Sequence, residues 1–237
     1  MTEPLASEDR HQAIQNRIQG VILARELQRG DPLPSETQLA RILGVSRNSL
    51  REAIRSLQTL GVVETRHGFG TFVGAVSLNP LVRGLVFQAQ VDGAGNLRVA
   101  RELLELRQVL EAGLIPRVVA RCGDAHLAEL RALVDRMEER ARRGEHFTEE
   151  DRLFHQALYT PLDNQLLTQL LEVFWRVLHS VRAQLPGTGP DEPVRIAAGH
   201  RMIVDAVASR DGARASEIMT LHFAGMRAWI NDATVVD

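Results

Sequence analysis

The sequence predicts a mainly α-helical chain in two parts: three short helices and a β-hairpin over 1–76, then an antiparallel bundle of about seven helices over 77–237. Three observations carry this. Apolar residues recur at helical spacing along most of the chain. Two β-rich runs, Val62–Arg66 and Gly70–Val73, flank His67-Gly68-Phe69, a turn with glycine available for positive φ. Beyond Ala75–Pro80, which reads as a linker, there is no strand pattern, and short loops between long amphipathic helices argue for an antiparallel bundle.

The elements follow in order. Arg10–Arg29 carries Ile14, Ile18, Val21 and Ile22 at helical spacing, with Leu23 and Leu27 on another face, and Gly30-Asp31-Pro32-Leu33-Pro34 stops it. Ser35 is a good N-cap for a short helix through Leu43, and the acid Glu36 suits its first turn. Gly44 ends that helix. Ser46 caps a third, running to about Leu60, with Leu50, Ala53, Ile54 and Leu57 as its inner face, and Gly61 stops it. In the second part, breaks at 92–96, 122–124, 143–145, 161–163, 186–190 and 210–212 leave seven helical segments.

Composition fits an ordinary globular protein, with 44% hydrophobic and 24% charged residues in 237. No apolar run approaches the ~20 residues of a membrane span, and Met1-Thr2-Glu3-Pro4-Leu5 lacks signal-peptide character. A single cysteine, Cys122, excludes an internal disulfide framework and suits a reducing cytoplasm. All 28 basic residues are arginine. Arg10–Val76 holds nine Arg against five acids, whereas 77–237 holds 19 against 22. A basic first third on a slightly acidic body points to a head that binds a polyanion.

Two helices joined by a glycine turn, with a third before them and a hairpin after, make a winged helix-turn-helix. The second helix of such a pair presents its N-terminal end to base edges in the major groove. Here that end reads Ser46-Arg47-Asn48-Ser49-Leu50-Arg51. Arginine pairs bidentately with guanine and asparagine with adenine, while serines and the helix N-terminus suit phosphate. Arg66 and His67 sit at the hairpin tip. A solvated helix face is the alternative for Arg47, Arg51 and Arg55, but the turn before and wing after this helix favour DNA.

The run Leu33-Pro34-Ser35-Glu36-Thr37-Gln38-Leu39-Ala40, then Gly44 through Arg55, Leu57, Leu60-Gly61 and Gly68-Phe69-Gly70-Thr71-Phe72-Val73 resembles the head of the GntR family of bacterial transcription regulators. The resemblance implies DNA contacts by Ser46, Arg47, Asn48, Ser49, Arg51, His67 and Gly68, and a homodimer on a pseudo-palindromic double-stranded operator. Thr37 stands where the fatty-acid-responsive branch often has arginine, so that branch's operator does not transfer.

In the second part, Asp151 and His155 are four apart and share a helix face. His200 and His222 lie on two further helices. One carboxylate and three imidazoles suit zinc, nickel, manganese or iron(II) and leave coordination positions open. Taken singly, each histidine is more often a surface or core residue; His126, His146 and His179 show that histidine is not scarce here, and His179 reads as a bystander. The same set also fits a metal-dependent enzyme or a metal-ion sensor. An enzyme would need a positioned acid such as Glu105 or Glu111, shows no hydrolase or oxygenase motif, and leaves the head unexplained.

Glu105-Leu106-Arg107-Gln108-Val109-Leu110-Glu111, Asp151-Arg152-Leu153-Phe154-His155, Asn164-Gln165-Leu166-Leu167, His200-Arg201-Met202-Ile203 with Asp211 and Ala215, and His222 resemble the FCD ligand-binding domain of the family's FadR subgroup. That resemblance implies a divalent metal on Asp151, His155, His200 and His222. It also implies a small carboxylate effector, commonly an organic or sugar acid, with Arg107 holding the carboxylate; a repressor is the commonest pattern. An interhelical salt bridge with an acid such as Glu111 is the alternative for Arg107. Asn164 reads as a cap.

Overall fold

The computed structural model describes residues 5–75, 77–91, 97–183 and 193–232. The breaks expected at 92–96 and 186–190 lie outside them. The chain divides into two compact units, Met1–Pro80 and Leu81–Asp237.

In the first unit, α1 (Leu5–Ala24), α2 (Glu36–Leu43) and α3 (Arg47–Thr59) enclose one core. Ile14, Ile18 and Ile22 of α1 meet Leu39 and Leu43 of α2, and Leu50, Ile54 and Leu57 of α3. The ends of α2 and α3 are set by local chemistry. Ser35 and Gln38 form a reciprocal capping box on α2, Gly44 ends it in the left-handed conformation, and the Ser46 hydroxyl accepts from the Ser49 amide. Helix α1 ends at Ala24, five residues before the expected Arg29. Glu26 turns left-handed at φ 53° and the Leu27 amide donates back to the Ile22 carbonyl, so no glycine marks this stop.

β1 (Val63–Arg66) and β2 (Gly70–Val73) form an antiparallel hairpin, with Val63 opposite Val73 and Arg66 opposite Gly70. Gly68 takes φ 78° in its turn. The segment before α2 docks on β2, through Leu33 N–H to Thr71 O and Val73 N–H to Asp31 O. The stretch read as a linker is held at its start: the Ser77 amide donates to the Leu60 carbonyl. Gly61 (φ 73°) makes this possible, because a Cβ there would lie 2.4 Å from the Ala75 carbonyl oxygen.

The second unit contains α4 (Asn79–Val91, beginning at the unit boundary), α5 (Arg98–Arg121), α6 (Asp124–Arg142), α7 (Thr148–Leu158), α8 (Gln165–Arg182), α9 (Pro193–Ala208), α10 (Gly212–His222) and α11 (Ala224–Asp232). α5 packs against α8, α9, α10 and α11, while α6 packs against α7 and α9. The core includes Leu104, Ile115, Leu130, Met137, Phe154, Leu158 and Ile203. Asn164 caps α8, its side chain accepting from the Leu167 amide. The last segment, expected as one helix, is interrupted at Phe223, a buried residue with no glycine or proline beside it. That interruption gives eight α-helices from α4 onward among the described residues, against the seven expected, with a short 3-10 helix at Thr160–Leu162 between α7 and α8.

Candidate metal centre and DNA-contacting surface

Asp151 and His155 project from successive turns of α7, His200 from α9 and His222 from the last turn of α10. One donor atom from each of the four lies within 4.8 Å of the others. His200 Nε2 is 2.9 Å from Asp151 Oδ1, His155 Nε2 is 3.8 Å from the same oxygen, and His222 Nε2 is 3.3 Å from His155 Nε2. Ligands on a metal at about 2.1 Å stand roughly 3–4 Å apart, and these three distances fall in or next to that range.

The outer nitrogens fix the tautomers. His200 Nδ1 donates to the Ile196 carbonyl at 2.9 Å. A carbonyl only accepts, so the neutral ring carries its lone pair on Nε2. His155 Nδ1 lies 2.6 Å from Glu111 Oε2 and donates to that carboxylate. Both Nε2 lone pairs therefore point inward. His200 Nε2 is buried, and no hydrogen bond aligns on it among the described residues, despite its closeness to Asp151. At 2.9 Å that nitrogen and the Asp151 oxygen need a positive charge between them, either a proton on Nε2 or a metal ion.

Burial alone would raise the Asp151 carboxyl, but the imidazoles of His200 and His155 hold it far below the usual carboxylate range. Burial, then the neighbouring imidazoles, push His222 well below the ordinary histidine range, outweighing Asp151, so it stays neutral and able to ligate at pH 7.

Arg107 is buried, and its Nε donates to Glu111 Oε1 at 2.6 Å. This pair runs one turn along α5, not between helices. Glu111 thus bridges Arg107 and His155; burial would raise its pKa, but those two partners outweigh burial and lower it. The Tyr159 hydroxyl donates to the Glu111 carbonyl. Expected from the sequence as the alternative partner of Arg107, Glu111 makes that pair and also orients a candidate ligand. A cavity of about 140 Å³ opens beside the cluster, lined in part by Arg107, Asp151, His155 and His222. His200 is fully buried. His179, exposed on the cavity lining, stacks on Trp175 at 4.8 Å.

In the first unit, Ser46, Arg47, Asn48 and Arg51 are exposed at the start of α3, Ser49 half-buried among them. Arg51 Nε is 2.8 Å from Glu36 of α2, bracing the two helices. His67 and Gly68 are exposed at the hairpin turn. Arg66, expected at the tip, folds back onto Glu64 and lies 4.2 Å over the Phe72 ring.

Residues 10–73 match the family described as bacterial regulatory proteins, gntR family, and residues 102–225 match the FCD domain. The HTH-type transcriptional regulator LutR of Bacillus subtilis is 29% identical over 205 residues, covering 83% of this chain and 90% of that protein. The galactonate operon transcriptional repressor of Escherichia coli is 26% identical over 196 residues, covering 79% and 82%. A solved GntR structure from Streptococcus agalactiae superposes with a TM-score of 0.67 at 29% identity, covering 92% of this chain and 99% of that one. These relatives are regulators and not enzymes. With a winged helix-turn-helix head matching one domain and a helical bundle matching the other, the chain belongs to the GntR family of bacterial transcription regulators, in an arrangement consistent with its FadR subgroup.

Proposed function

We propose that this regulator is a homodimeric repressor whose operator binding is controlled by a small carboxylic acid bound at a divalent metal in the FCD unit. The observation that carries this is the inward convergence of Asp151, His155, His200 and His222, with the His200 Nε2 lone pair buried and unmatched. The donor set fits zinc, nickel, manganese or iron(II), and such an ion supplies a positive charge with open positions for a carboxylate. The chain's own residues do the rest. Glu111 and the Ile196 carbonyl orient His155 and His200. Arg107, tied to Glu111 through Nε, offers its terminal nitrogens to the acid.

The head binds double-stranded DNA through Ser46, Arg47, Asn48, Ser49 and Arg51 in the major groove, with His67 and Gly68 in the wing. Two heads related by a two-fold axis need an inverted pair of half-sites. Control requires the acid to bind the DNA-competent and incompetent states unequally. The relative named as the repressor of the galactonate operon supports the sign.

The test is an operator titration with metal-free, metal-loaded, and metal-plus-acid protein, on a site selected from random sequence. The expected result is tight binding by metal-loaded protein and a weakening of about 5–150-fold with a cognate acid from a panel. Identical affinity in all three states overturns the proposal. A switch produced by metal alone makes the chain a metal-ion sensor instead.

A further inference from the structure

The proposed acid site has two unlike ends. At one end stand Asp151, His155, His222 and Arg107. Phe223 packs against that end, 5.1 Å below the Arg107 guanidinium, and the other strongly buried lining residues are apolar: Ala100, Phe147, Leu178, Val181 and Ile230, each at most 7% exposed. The other lining residues that can hydrogen-bond are less buried, half-buried Trp175 among them. His146, Thr148 and His179 are exposed, and Arg182 is half-buried. Among the described residues, then, the strongly buried part of the wall beyond the charged end offers no side-chain hydrogen-bond donor or acceptor.

That wall discriminates among acids. A polyhydroxylated acid seated with its carboxylate at the metal would press its hydroxyls against carbon, losing water without gaining partners. An apolar body loses nothing and buries its surface. Size points the same way: the cavity holds about 140 Å³, close to the roughly 150 Å³ apolar cavity that takes up benzene. We infer that the effector is a small carboxylate with an aromatic or branched aliphatic body of about one ring, and not a sugar acid. The inference rests on the carboxylate-at-metal reading above and narrows it to one chemical class.

Calorimetry on full-length protein, carrying the metal it retains on purification, tests this with phenylacetate and gluconate as probes. Phenylacetate is expected to bind about tenfold or more tighter than gluconate, with a negative heat-capacity change from apolar burial. Val181→Thr, which keeps the shape of the wall and adds one hydroxyl, is expected to shrink that ratio. Gluconate binding as tightly as phenylacetate, or binding of neither at millimolar concentration, overturns the inference. Failure of the metal reading looks different: phenylacetate would bind His200→Ala as it binds wild type, although that variant had lost its metal.

Discussion

The two units hold the charged residues of their candidate sites in opposite ways. In the head, Arg51 pairs with Glu36 and Arg55 with Glu52 through side chains that are 41–72% exposed. In the bundle, the Arg107–Glu111–His155 chain is at most 4% exposed. Exposed pairs are worth about 0–1 kcal/mol, so the head's arginines can exchange a protein carboxylate for phosphate or a base at little cost. A buried pair resists such exchange, because separating it strands a charge in a poor solvent. One arrangement keeps charges available for a polyanion, and the other fixes the geometry around a ligand cluster.

Substitutions in the two units should separate along this line. The largest effect belongs to Glu111→Ala, which leaves Arg107 buried without its partner. It should cost about 3–5 kcal/mol in urea unfolding, and a loss below about 1 kcal/mol would mean the buried network does not hold the bundle. Acid comes next. His222 in the folded chain titrates below its unfolded value, so the unfolded state takes up its proton first. Stability of metal-free protein should therefore fall as pH drops below about 6.5, with Asp151 and Glu111, also depressed, adding a further loss below about 4. Thermal unfolding between pH 8 and 3 reads this, and His222→Leu should flatten the first step.

Arg47→Ala should weaken operator binding by about 1–3 kcal/mol while leaving the unfolding midpoint nearly unchanged, as checked by a gel-shift titration beside a melt. Wild-type affinity would remove Arg47 from the readout. Ser46→Ala removes the α3 cap and should cost about 1 kcal/mol of stability. Glu36→Ala should be smallest, within about 1 kcal/mol in a melt; a larger loss would show that the Arg51 pair is structural and would blur the contrast between the units.

The units also differ in how much of each was legible in the sequence. The head's devices are local. Ser35, Gly44, Ser46 and Gly68 act within a few residues of their own position, so spacing alone places α2, α3 and the wing. The misreading there, α1 running on to Arg29, arose because Glu26 takes a glycine-like conformation that no residue type announces. In the bundle, the Asp151–His155 pair shows as an i, i+4 pattern, but its meeting with His200 and His222 depends on how three helices pack. Glu111 was visible as an acid, yet its role appears only when α5 and α7 are brought together, 44 residues apart in sequence. The break at Phe223, which lies 6.0 Å from His155 ring to ring, is marked in the sequence only by Gly225 two residues on.

Metal content tests the account most directly. Elemental analysis of purified wild-type protein should find about one divalent ion per chain, with His200→Ala and His222→Ala each retaining far less while staying folded by circular dichroism. Equal metal content in all three proteins, or none in wild type after reconstitution at pH 7.5, would contradict a centre built from Asp151, His155, His200 and His222.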